Sequence, residues 1–129
     1  MIFTIETQSD RPIYQQLRAQ IIVAIAKGEL MPGELLPSVR QLASEIGINT
    51  MTISKAYNSL KEEGLLITDR RKGTIVATPQ LLTEKESTQY LRDLEVQLAA
   101  ALVHGKTKAT LEQEFHQVLA QFTEGCDKK

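Results

Sequence analysis

Residues 49–63, NTMTISKAYNSLKEE, separate into two chemically different faces when wound as a helix. At about 100° per residue, Ile53, Ala56, Tyr57 and Leu60 converge on one side. With Thr50 as zero, Ser54, Asn58, Met51 and Lys55 fall at roughly 40°, 80°, 100° and 140°, a continuous face with no carboxylate before Glu62. Ordinary solvated faces mix both signs of charge. A face that enters the DNA major groove must be slim, free of anions near phosphates, and able to offer hydrogen-bonding groups and methyls to base edges. This face meets those demands, with Asn49, Thr50, Met51 and Thr52 in the turn that would reach the bases first. Met51, Asn49, Thr50, Ser54 and Asn58 are expected to read base edges, and Thr52, Lys55 and Arg40 to position the backbone. Arg70, Arg71 and Lys72 form a second cationic cluster, and Gly73 beside them lets a tip turn and approach a sugar-phosphate backbone or the minor groove. Arg-Arg-Lys also suits a solvated turn that keeps a sheet edge soluble. Its attachment to a groove-shaped helix favours the phosphate contact.

The elements that must hold these residues are punctuated by capping residues, proline and glycine. Ser9 or Asp10 is expected to cap a first helix with Pro12 in its first turn and Ile13, Leu17, Ile21, Ala24 and Ile25 inward, stopped by Gly28. A Pro/Gly-punctuated connector, residues 31–37, leads to Ser38 and Gln41, spaced as a capping box for a short helix with Val39, Leu42, Ala43 and Ile46 inward. Gly47 ends that helix, and one residue later Asn49 caps the next, which runs to Glu63 before Gly64. Helices joined this tightly make a helix-turn-helix. Leu65–Thr68 and Thr74–Ala77 read as a hairpin with the basic tip between them, and Ile2–Ile5 as a further short strand.

Composition sets outer limits. The 129 residues, 42% hydrophobic and 24% charged, suit one modest core with an appendage and exclude disordered or fibrous classes. Fifteen basic residues against sixteen acidic give a net charge of −1, so any polyanion site must be local. Residues 1–79 carry net +1 and residues 80–129 net −2, which assigns the polyanion to the first part. No apolar run approaches the roughly 18 residues of a membrane span and no secretion signal stands at the start, so a soluble cytoplasmic chain is expected, with no membrane partner. Cys126 reads as a free tail thiol. His104 and His116 match no metal-ligand spacing, and Glu112 with His116 reads as a surface pair, so no metal and no cofactor is expected. Neither a phosphate-cradling glycine loop nor a nucleophile elbow is present in the sequence, and catalysis is not expected.

Taken together, Pro12–Leu17, Gly28–Gly33, Leu36–Ala43, Asn49–Tyr57, Glu63–Leu65 and Lys72–Val76 resemble the winged-helix DNA-binding domain of the GntR family of bacterial transcription regulators. The short tail is similar to that of the YtrA-type branch. The resemblance implies that Arg40 and the first turns of the third helix contact DNA, that Lys72 and Gly73 lie at a wing tip probing the minor groove, and that the tail dimerises. It further implies control of a transporter or of the protein's own operon. Where the branch commonly has Asn-Pro-Asn-Thr, this chain has Asn49-Thr50-Met51-Thr52, a departure that bears on the operator sequence and not on binding. Arg71 stands where the wing often has glycine and Ile75 where it often has an aromatic, which implies a stiffer, more cationic tip.

The expected fold is mainly α with a small β-hairpin: a winged helix-turn-helix DNA-binding domain over 1–78, then a C-terminal helical hairpin over 79–129. In that tail Leu91, Leu94, Leu98 and Leu102 mark one helix, Gly105 breaks it, and Leu111, Phe115, Val118, Leu119 and Phe122 mark another. The stripes could cover one another within a chain. Two helices totalling roughly 40 residues bury little alone, however, so Leu91, Leu94, Leu98, Leu102, Leu111, Phe115, Val118 and Phe122 are expected to form a homodimer interface. A twofold dimer implies a palindromic operator with half-sites about one helical turn apart or a multiple of that. The expected function is therefore a sequence-specific transcription regulator, a repressor, bound to double-stranded operator DNA. A winged helix used for protein interaction would show an apolar or acidic recognition face and a non-basic wing, and this chain has neither. A small-molecule effector bound in the tail stays open as an addition to DNA binding, since a pocket between protomers need leave no motif.

Overall fold

Apolar residues three and four apart give the first helices a shared buried face. In the computed structural model, which describes residues 3–122, α1 (Ile13–Ala26) buries Leu17, Ile21 and Ala24. Its start differs from expectation, because Pro12 occupies the N-cap position and no side chain caps the helix. Ser9 Oγ instead accepts from the Arg11 amide at 3.1 Å, closing a turn ahead of the helix. Pro12 has no N–H to satisfy, and its carbonyl accepts from the amides of Gln15 and Gln16.

The helix-turn-helix follows from three short-range devices. Ser38 Oγ accepts from the Gln41 amide at 3.0 Å to start α2 (Val39–Ile46). Only half of the expected capping box forms, because the Gln41 amide group turns forward to the Glu45 carboxylate at 3.3 Å. Gly47 then adopts φ +71°, a left-handed conformation that glycine reaches without steric cost. Asn49 Oδ1 accepts from the amides of Met51 at 2.7 Å and Thr52 at 3.3 Å, opening α3 (Thr50–Glu62). Ile53, Ala56, Tyr57 and Leu60, the apolar side of the wheel, are buried, and α3 packs on both α1 and α2.

β1 (Leu66–Asp69) and β2 (Gly73–Val76) pair antiparallel, with Leu66 opposite Val76 and Asp69 opposite Gly73. β1 starts one residue later than expected, because the Leu65 amide returns to the Leu60 carbonyl at the end of α3, and β2 starts one residue earlier. Part of the connector also joins the sheet. Leu35 bridges Ile75, the Leu36 amide donates to the Thr74 carbonyl at 2.9 Å and the Val76 amide to the Glu34 carbonyl at 3.0 Å. The strand expected at Ile2–Ile5 is absent over residues 3–5, and Ile2 lies outside the described residues. Side-chain amides take the place of a partner strand there: Gln20 bonds both the N–H and the carbonyl of Thr4, and Gln16 those of Glu6. Phe3 is thereby held in the core.

The chain divides into two compact units at Pro79/Gln80. In the second, Thr83 and Glu86 form a reciprocal capping box at the start of α4 (Glu84–Val103). Gly105 at φ +93° interrupts the helical run, and Thr107 caps α5 (Lys108–Leu119). Neither α4 nor α5 contains a buried residue. Among the described residues, no helix is long and apolar enough to cross a membrane. Cys126 lies outside the described residues.

Candidate nucleic-acid interface

Burial of Ile53, Ala56, Tyr57 and Leu60 forces the opposite side of α3 outward. Asn49, Thr50, Met51, Lys55 and Asn58 are exposed, while Thr52 and Ser54 are half-buried along the edges of that face. Met51 is 77% exposed, a large apolar side chain left in solvent at the first turn of the helix. The two amides accepted by Asn49 fix the backbone of that turn. Further along, the Tyr57 hydroxyl donates to the Pro37 carbonyl at 2.8 Å, so α3 is tied to the residue preceding the α2 cap. Arg40, in the first turn of α2, is exposed.

The wing tip is organised by one carboxylate. Asp69 Oδ1 accepts from the amides of Arg71 at 2.8 Å and Lys72 at 3.0 Å. The Lys72 amide first, then that of Arg71, with the charge of Lys72 adding, hold its carboxyl below the usual range. Asp69 thus stays ionised as an internal clamp of the turn, and the side chains of Arg70, Arg71 and Lys72 project into solvent. Gly73 follows at φ +115°, where a Cβ would stand 3.5 Å from Leu35 Cδ1, an ordinary contact. Conformation, and not lack of room, is what requires glycine there. Among the described residues the ion pairs are Arg18 with Glu63 and Lys106 with Glu114, so Arg40, Lys55, Arg70, Arg71 and Lys72 keep their charges unpaired.

All twelve residues singled out for DNA contact lie in the first compact unit, on α2, α3 with its cap, and the wing. β1 packs against α3, which joins the wing to the helix. Sequence reasoning missed one neighbour of this set. Lys55 Nζ lies 4.2 Å from the centre of the Tyr14 ring, contributed by α1. No local spacing signals that pairing. In the second unit Leu94, Leu98, Leu111 and Phe122 are half-buried, and Leu91, Leu102, Phe115 and Val118 are exposed.

The sequence pattern of the bacterial regulatory proteins, gntR family, matches residues 13–76. HTH-type transcriptional regulator YhcF of Bacillus subtilis (strain 168) is 32% identical over 123 residues, which cover 92% of this chain and 95% of YhcF. The chain belongs to the GntR family. The fold of this GntR protein is similar to the crystal structure of a transcriptional antiterminator from Listeria monocytogenes EGD-e, with a TM-score of 0.85, 32% identity and coverage of 92% of this chain and 90% of that one. YtrA from Sulfolobus acidocaldarius, a GntR-family transcription factor, matches at a TM-score of 0.65 and 39% identity over 80% of this chain and 99% of its own. That likeness places the GntR protein in the YtrA-type subfamily. The DNA-binding domain of AraR, solved in complex with operator ORX1, matches at a TM-score of 0.53 and 28% identity, covering 60% of this chain and 99% of that domain.

Proposed function

We propose that this GntR protein is a cytoplasmic, sequence-specific transcription repressor that binds a palindromic DNA operator as a homodimer. Residues 1–78 serve as the winged-helix DNA-binding domain and residues 79–129 as the dimerisation tail. Met51, Asn49, Thr50, Ser54 and Asn58 read base edges from the major groove. Thr52, Lys55 and Arg40 seat the protein on the phosphate backbone, while Arg70, Arg71, Lys72 and Gly73 grip beside the groove. The observation that carries this reading is the exposed face of α3, free of carboxylates ahead of Glu62, with a wing of cations joined to it that form no ion pair among the described residues. The AraR DNA-binding domain, solved in complex with operator ORX1, supports the same use of this fold.

Dimerisation is supported by the second unit. A helix pair with no buried residue, exposing Leu91 at 57%, Leu102 at 42%, Phe115 at 44% and Val118 at 52%, has apolar surface that a second copy would remove from water. Fluorescence anisotropy with duplex DNA tests the reading. The expected result is binding whose logarithmic affinity falls linearly with the logarithm of salt concentration; absence of duplex binding at low salt overturns it.

A further inference from the structure

The ammonium of Lys55 and the ring of Tyr14 form a contact that the roles above leave unexplained. Tyr14 lies in the first turn of α1 and packs, half-buried, against the core, so its ring is a fixed platform. Lys55 is exposed on the DNA side of α3, with its Nζ 4.2 Å above that platform. A solvated lysine loses rotamer freedom when it grips a phosphate. Any group that holds the ammonium beforehand reduces that loss. A carboxylate would hold it more strongly but would set a negative charge against the DNA. An aromatic face attracts a cation through its quadrupole and adds no net charge. It also covers only one side of the ammonium, leaving N–H donors on the other side for a phosphate oxygen.

We propose that Tyr14 is a positioning residue for DNA binding, holding the Lys55 ammonium where it meets a backbone phosphate beside α3. The inference rests on the phosphate contact assigned to Lys55 under the proposed function. The lysine is thereby preordered in the free protein, and the ring and the phosphate sandwich it in the complex.

The test measures affinity for a mixed-sequence duplex against salt concentration for the full chain and its variants. Tyr14→Leu is expected to weaken binding about two- to fivefold with an unchanged salt slope, and Tyr14→Phe, which keeps the ring, to bind like wild type. Lys55→Ala is expected to lower the slope by about one unit, and Tyr14→Leu to cost nothing more in that background. Wild-type binding by Tyr14→Leu, an equal loss in Tyr14→Phe, or an undiminished penalty in the Lys55→Ala background overturns the positioning role while leaving the phosphate contact standing. An unchanged slope in Lys55→Ala overturns the phosphate contact itself, and the inference with it. Should Tyr14→Leu fail to fold, the wild-type protein still decides: ring current must shift the Lys55 ε-protons upfield, and their absence from shifted positions contradicts the proposal.

Discussion

The hydroxyl of Tyr57, a residue only 1% exposed, donates to the carbonyl of Pro37 at 2.8 Å, coupling the middle of α3 to the entrance of α2. Burial, and secondarily the charge of Glu45, raises this hydroxyl to about 12. Tyr57→Phe leaves the Pro37 carbonyl without its partner and is expected to lower stability by about 1–3 kcal/mol in urea unfolding. The same burial sets an alkaline limit. Below about pH 10 both folded and unfolded chains keep the phenolic proton and stability is unaffected. Between about pH 10 and 12 only the unfolded chain releases it, so stability falls by up to about 1.4 kcal/mol per pH unit. Unfolding curves of Tyr57→Phe should lack that component.

Asn49 caps α3, and two substitutions separate that structural role from the recognition role proposed for it. Asn49→Ala removes the acceptor of the Met51 and Thr52 amides and is expected to cost about 1 kcal/mol of stability. Asn49→Asp keeps the cap, but it places a carboxylate against the phosphates. Thermal melting should therefore find the aspartate variant near wild type while DNA titration finds it weakened. Equal DNA affinity for Asn49→Asp and wild type would remove this turn from the interface.

Arg71 projects from a wing turn whose backbone is clamped by Asp69 and not by the arginine side chain. Arg71→Ala should accordingly leave the hairpin folded, weaken binding to all sequences alike, and lower the salt slope by about one unit. An unchanged slope removes the wing tip from the contact set.

How far these features are visible before folding depends on the range of the interactions that make them. The helix-turn-helix is legible because Ser38, Gly47 and Asn49 act within three residues of themselves and the apolar spacing of α3 is local. The polar face follows from the same spacing. The connector is not legible as a strand: its prolines and glycine signal a turn, and its ladder bonds reach Thr74 and Val76, far along the chain. The first residues mislead in the opposite way. Their β-favouring side chains find no strand, because Gln16 and Gln20 on α1 satisfy their backbone. Tyr14 escapes notice for the same reason as the connector, since its contact with Lys55 exists only once α1 and α3 have packed.

The tail offers a prediction about assembly. Leu91 and Phe115 are exposed at 57% and 44%, so charging them disturbs little within one chain. The pair Leu91→Asp and Phe115→Asp should halve the mass seen by analytical ultracentrifugation. It should also weaken binding to a palindromic site by about a hundredfold, since the second half-site no longer binds as part of the same molecule. A variant that remains dimeric places the interface elsewhere.

Under the proposed function, the exposed face of α3 reads bases in two symmetric half-sites. Selection of bound fragments from random DNA, sequenced for the wild-type protein and for Met51→Asn, tests it most directly. The expected result is an inverted repeat with half-site centres about one helical turn apart or a multiple of that. Met51→Asn is expected to change the preferred bases while non-specific affinity stays near wild type. Failure of the wild-type protein to enrich any sequence would contradict this reading.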